Sequence, residues 1–244
     1  MTALLEITGL TAGYDDVAVI HGVDLEVGAG EIVALLGANG AGKTTTLLAI
    51  SGLIPRHAGE VKVLGKTTRN RRRTNVSDVW RLARTGVAHV SEDRGLFFDL
   101  TAAENLRLGR PARGDTVPMD QIVEWFPALS RALDRKAGLM SGGEQQMLAL
   151  ARAVIGQPKV LLVDEMSLGL APIIVEQLLP VLRSIATETG AAILVVEQHV
   201  PLVLSIADRA ALLRQGRVIF TGTAAELQAR PDLVEAGYLG DVPA

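Results

Sequence analysis

The chain predicts an α/β fold in which a mostly parallel sheet is interrupted by a mostly helical stretch, and three observations carry that reading. Apolar runs at 32–36, 160–163 and 191–196 are unbroken and strand-length, as strands buried on both faces read. The run ending at Leu36 passes into a glycine-rich loop and then into helical spacing that stops at Ser51-Gly52. Thr101-Ala-Ala-Glu104 and Ser141-Gly-Gly-Glu144 are capping boxes opening helices within a block of about 95–155, where the texture is one of helices and loops.

At 244 residues, 48% hydrophobic and 21% charged, the chain can bury a sizeable core. A net charge of −3 gives no global attraction to nucleic acid or to an acidic membrane surface. Without cysteine there is neither a disulfide framework nor a thiolate metal site. The first residues lack a basic signal region, and no apolar run approaches the ~18 residues of a membrane span. An intracellular, soluble chain is the expectation.

Taken in order, residues 4–10 and 18–27 read as strands, with Val23, Leu25 and Val27 alternating against Asp24 and Glu26. Tyr14, in the turn-like Gly13-Tyr14-Asp15-Asp16, either stacks on a nucleobase or packs on its hairpin neighbours, and its position alone favours packing. Gly59–Gly65 alternates like a strand, and Arg69–Arg73 is a basic cluster without interleaved aromatics, hence a solvated surface. A helix is expected over 77–85 and a strand over 87–90. Phe97 and Phe98 offer an apolar contact point if exposed, although burial is the commoner outcome for the residue type. Helical stretches near 120–126 and 127–133 precede the helix from Glu144 to about Ile155. Beyond the strand ending at Asp164-Glu165, Pro172 opens a helix that Gly190 stops. Strands at 210–214 and 217–221 turn at Gln215-Gly216, and Thr223-Ala-Ala-Glu226 caps a final helix.

Gly37-Ala38-Asn39-Gly40-Ala41-Gly42-Lys43-Thr44-Thr45 fits the phosphate-loop pattern in its proper context of strand, loop and helix. The glycines allow successive N–H groups to point inward at phosphate oxygens, and the helix adds its positive N-terminal end. Lys43 is expected on the β- and γ-phosphates and the Thr44 hydroxyl on Mg²⁺. In a parallel sheet, ligands gather at the carboxyl ends of the strands. Two further strand ends carry suitable groups: Asp164 to hold Mg²⁺ with Glu165 to polarise a water, and His199 to hydrogen-bond the γ-phosphate. A lone histidine is more often a plain core or surface residue, but its place after a third strand favours the functional role.

These segments, with Met140-Ser141-Gly142-Gly143-Glu144-Gln145-Gln146 and Glu197-Gln198-His199, stand in the order of the ATP-binding cassette (ABC) transporter ATPases, which the chain resembles over nearly its whole length. Ser91-Glu92-Asp93-Arg94, Ser167–Ile174, and Tyr238-Leu-Gly240 point to the LivF type of branched-chain amino-acid importers. The resemblance implies a phosphate-loop NTPase core at about 1–94 and 156–244, with an N-terminal antiparallel β subdomain and a helical subdomain at 95–155. It also implies that Tyr14 stacks on adenine, Glu165 is the general base and His199 the switch histidine. Ser141, Gly142, Gly143, Glu144 and Gln145 would contact ATP held by a second ATPase subunit in a head-to-tail dimer. Thr44, Asp164 and Glu92 would serve the metal.

By the same resemblance, the chain hydrolyses ATP at the inner face of the cell membrane to power two permease subunits, served indirectly by an extracytoplasmic solute-binding protein. Branched-chain amino acids or a related small polar solute are the expected cargo. A urea or short-amide importer, or a non-transport cassette ATPase, are the alternatives. No nucleic-acid partner is expected. Three positions depart from the family pattern: Glu92 stands where Gln is usual, Met166 where Pro is usual, and Met140 where Leu is usual. The two methionines are expected to alter packing and not activity.

Overall fold

Alternation within the central strands sets the layering. β3 (Ile32–Leu36), β7 (Val160–Asp164) and β8 (Ala192–Val196) are buried at every position. Ile32, Ala34 and Leu36 join one apolar cluster while Val33 and Leu35 join another, so both faces of the sheet are covered. Parallel ladders connect β6 (Val87–Val90), β7, β8, β3 and β9 (Arg209–Arg214), and β10 (Arg217–Thr223) pairs antiparallel at one edge. The resulting order is β10-β9-β3-β8-β7-β6. The computed structural model describes residues 2–70, 76–111 and 114–238. Arg71–Arg73 of the basic cluster, part of the 111–118 loop, and Leu239-Gly240 lie outside them.

The face bearing Val33 and Leu35 packs on a four-stranded antiparallel sheet, β2-β1-β4-β5, built from β1 (Ala3–Tyr14), β2 (Val17–Gly28), β4 (Arg56–Val63) and β5 (Lys66–Thr67). Helix α1 (Lys43–Ile50) contributes Leu47, Ala49 and Ile50 to this cluster, and α2 (Val76–Arg84) contributes Leu82. The second face carries α3 (Ala102–Gly109), α4 (Met119–Trp125), α5 (Gly142–Val154), α6 (Pro172–Thr189), α7 (Val200–Leu204) and α8 (Ala224–Gln228) around one continuous core. Leu233, Val234 and Tyr238 of α9 (Pro231–Tyr238) pack against that core. Met140 and Met166 are both buried in it, so the departures are accommodated as packing. Among the described residues, no helix is long and apolar enough to cross a membrane.

The capping boxes at Thr101, Ser141 and Thr223 all form. Gly190 ends α6 in the left-handed conformation, at φ 69°. Three readings change. The helix capped by Thr223, α8, is not the final one: α9 follows as a separate helix, because Pro231 disfavours helical backbone at Arg230. The stretch from Pro127 is a 3₁₀ turn ending at Arg131. Phe97 and Phe98 are 55% and 53% exposed, not buried, since only Leu96 of the three reaches the core.

Candidate active site

At the carboxyl end of β3 the loop from Gly37 to Gly42 wraps the start of α1. Gly37 (φ 148°) lies so close to β9 that a Cβ would come within 2.2 Å of the Leu213 carbonyl. At Gly42 (φ 105°) a Cβ would meet Ile20 of β2 at 2.6 Å. Both positions therefore require glycine for space as well as for backbone conformation. The Gln215-Gly216 turn clamps the loop from outside: Gly216 N–H donates to the Ala41 carbonyl (2.9 Å), and His21 N–H donates to the Gly216 carbonyl (2.8 Å).

Within this frame, among the described residues, the N–H groups of Gly40, Gly42, Lys43, Thr44 and Thr45 donate to no acceptor. Convergent unclaimed donors at a helix N-terminus form an anion cradle. Lys43, itself buried, donates to the carbonyls of Gly37 (2.9 Å) and Ala38 (3.2 Å) and pairs with Glu165 at 3.5 Å. These local contacts hold its ammonium where an anion would compete for it.

β7 delivers the carboxylates. Asp164 Oδ1 accepts from the Thr44 hydroxyl at 3.3 Å. Burial pushes its pKa up to about 6; the Thr44 hydrogen bond opposes that shift, while the nearby Glu165 and Glu92 carboxylates add to it. Such a carboxyl is poised for a cation, which would relieve the cost of its charge. Glu92, exposed, lines the same open cleft as Thr44, Asp164, Phe98 and Leu168. Glu165 leaves the strand in left-handed backbone, φ 39°, pinned by its N–H to the Val196 carbonyl at 3.0 Å. That conformation costs a non-glycine residue about 1 kcal/mol. It accompanies a carboxylate held between Lys43 and the Gln198 amide, whose Nε2 donates at 2.7 Å.

The end of β8 organises the loop beyond Glu165. Glu197 is buried and accepts from Ser167 N–H (3.0 Å) and the Ser167 hydroxyl (2.6 Å). Burial raises its pKa, against the opposing effect of those hydrogen bonds. The His199 side chain is exposed and, among the described residues, makes no hydrogen bond, although its carbonyl accepts from the Val203 N–H at 3.2 Å; Gln198 occupies the place beside Glu165. Sequence reasoning quoted Gln198, Glu197 and Tyr238 only as parts of longer motifs. The side-chain direction of Gln198 and His199 depends on a backbone turn that residue types alone do not reveal. Tyr238, whose burial raises its pKa, accepts a long hydrogen bond from Gly37 N–H at 3.3 Å.

Tyr14 ends β1 with its ring 50% exposed, on the hairpin whose Ile20 abuts Gly42. At the N-terminus of α5, Ser141 and Gly142 are exposed. Glu144 is committed to the Ser141 N–H and to Arg135. Gln145 is likewise engaged, accepting from Arg94 and donating to the carbonyls of Ala137 and Met140.

A family model described as ABC transporter matches residues 20–167. The chain is 39% identical, over 97% of its length and all of the relative's, to the high-affinity branched-chain amino acid transport ATP-binding protein BraG of Pseudomonas aeruginosa. Its identity with a probable branched-chain amino acid transport ATP-binding protein LivF of Archaeoglobus fulgidus is 35%, over 92% of this chain and 94% of that one. A crystal structure of a nucleotide-free ATP-binding cassette from an ABC transporter superposes with a TM-score of 0.83 at 22% identity, covering 98% of this chain and 100% of that one. With the phosphate loop, the paired carboxylates and these relatives in agreement, the chain belongs to the ABC transporter family, as an ATPase subunit.

Proposed function

We propose that the chain hydrolyses Mg-ATP to drive import of branched-chain amino acids, or of a related small polar solute, through separate permease subunits in the cell membrane. The carrying observation is the cradle of five unclaimed N–H groups set against Lys43, Thr44, Asp164 and Glu165. Tyr14 would stack on the adenine, and the loop and Lys43 would hold the phosphates. The oxygen donors of Thr44 and Asp164, 3.3 Å apart, suit a hard cation that takes its remaining ligands from phosphate and water. Glu92 would act on that cation through charge. A bound Mg²⁺ would neutralise phosphate charge. Glu165 would accept a proton from the attacking water as the new P–O bond forms and the bond to the ADP leaving group breaks.

Hydrolysis would take place between two ATPase subunits arranged head to tail, with Ser141, Gly142 and Gly143 presented to the partner's ATP. The exposed Phe97 and Phe98, beside the helical region, give the permeases an apolar contact. The chain would then sit at the cytoplasmic face, with an extracytoplasmic binding protein acting only through the permeases. The relatives named for branched-chain amino acid transport support this cargo.

The test is to recover tagged Glu165→Gln protein from its native membranes with Mg-ATP and to identify what accompanies it. A second cassette ATPase and two polytopic permeases are expected. Recovery of ribosomal or DNA-bound partners instead would overturn the transport reading. Turnover in the variant is expected to fall by about 10³-fold.

A further inference from the structure

Past the buried Val196 and Glu197, the chain makes a tight reversal. His199 has φ −80° and ψ 82°, and the Val200 N–H bonds back to the Gln198 carbonyl at 3.0 Å. This is an inverse γ-turn centred on His199, and Pro201 follows in the first turn of α7. The turn sends adjacent side chains in different directions. Gln198 is half-buried and donates from Nε2 to Glu165 Oε2 at 2.7 Å, a short and well-placed bond. His199 faces solvent.

A carboxamide nitrogen carries two N–H donors. In Gln198 one is used on Glu165, and the other is available to an oxygen brought alongside. Lys43, which faces the other oxygen of the same Glu165 carboxylate, belongs to the phosphate cradle. A γ-phosphate drawn in by Lys43 would therefore arrive next to Gln198. Resting on the ATPase reading above, we propose that Gln198, and not His199, is the residue after β8 that reaches the γ-phosphate, positioning it together with the Glu165 carboxylate. The task needs a donor and no proton transfer: the proton of the attacking water goes to Glu165, and the amide stays neutral throughout. Glu197 supports the arrangement from beneath, since its carboxylate also accepts from the Gln198 N–H at 3.3 Å while holding Ser167.

The experiment compares steady-state ATP hydrolysis and Mg-ATP affinity in the full chain carrying Gln198→Ala, Gln198→His, Gln198→Glu or His199→Ala, with Glu165→Gln alongside. Gln198→Ala is expected to lower kcat about 100-fold, with Mg-ATP affinity changed less than about threefold, as for loss of one donor aimed at transition-state charge. Gln198→His, which keeps a donor, recovers most of that loss. Gln198→Glu, an acceptor facing a carboxylate, recovers none. His199→Ala stays within about threefold of the parent chain, an effect of at most ~0.6 kcal/mol by the conversion of rate ratios.

The proposal is overturned if His199→Ala loses turnover while Gln198→Ala keeps it, or if both fall equally. It is overturned too if Gln198→Ala weakens Mg-ATP affinity as much as kcat, or if Gln198→His gives no recovery, since either marks a merely structural role. Failure of the parent reading has a different signature: Glu165→Gln turning over normally removes the base and this inference with it. A slow Glu165→Gln beside a fast Gln198→Ala removes only the assignment of Gln198.

Discussion

Helices α3 and α5 begin with the same capping box and meet different fates. At α3, Thr101 N–H bonds to Glu104 (2.8 Å) and Glu104 N–H bonds to Thr101 (3.2 Å); at α5, Ser141 and Glu144 do the same at 2.8 and 3.3 Å. The next two N–H groups separate them. Those of Ala102 and Ala103 donate to the carbonyls of Arg135 and Leu133, each at 2.9 Å, so the end of α3 is closed by its own chain. Those of Gly142 and Gly143, among the described residues, donate to nothing. Two open donors at a helix N-terminus can receive an anion, which in the proposed head-to-tail dimer would be the partner's ATP. A capping box thus marks where a helix starts; what lies opposite it decides whether the start is structural or functional.

The largest expected effect comes from occupying the open end with charge. Gly142→Asp fits sterically, since a Cβ there meets nothing closer than Leu170 at 3.6 Å. The carboxylate would favour the helix terminus by up to about 1 kcal/mol while repelling an incoming phosphate. Turnover should fall about 100-fold with no loss of thermal stability. Calorimetry and an ATPase assay on the same preparation check both signs, and a variant that is both unstable and inactive would erase the contrast drawn between the helices. A smaller effect separates the caps themselves. Thr101→Ala and Ser141→Ala should each cost about 1 kcal/mol in denaturant unfolding, but only Ser141→Ala should also slow hydrolysis.

Acid provides the mildest test. Both cap carboxylates titrate below the usual Glu range, chiefly because a backbone N–H donates to each: Thr101 to Glu104 and Ser141 to Glu144. Depressed values mean that their contribution is present above the ordinary Glu pKa of ~4.3 and is lost as pH falls through the folded values. Amide protection factors at the two helix starts should therefore fall together on acidification below that pH. Loss at one alone would show that the boxes are not equivalent.

Much of this was legible in the sequence because it is local. Val160–Asp164 and Ala192–Val196 read as two-face strands from apolarity alone, and the Thr101, Ser141 and Thr223 boxes locate three helix starts. The structure brings Thr44 and Lys43 of the phosphate-loop motif together with Asp164 and Glu165, which the sequence places at a strand end. What stayed hidden depends on distant packing or single torsions. The placing of β3 between β8 and β9 is a non-local choice. The two-residue β5 and five-residue α7 are too short to show periodicity. Among the described residues no element covers Phe97 and Phe98, which residue type cannot signal. That the Gln198 amide lies against Glu165 while His199 faces solvent turns on one γ-turn.

The clamp on the phosphate loop also bears on how the protein is made. Its loop residues precede residue 46, yet Gly216 grips Ala41 and the Leu213 carbonyl crowds Gly37. β3, which aims the loop, is flanked by β8 and β9. During synthesis the amino-terminal half leaves the ribosome with its nucleotide loop ungripped, and such long-range pairing is slow to form. A nascent chain stalled before β9 should thus fail to retain ATP, and emergence of β9 and the Gly216 turn would be the event that first makes the chain a nucleotide-binding protein.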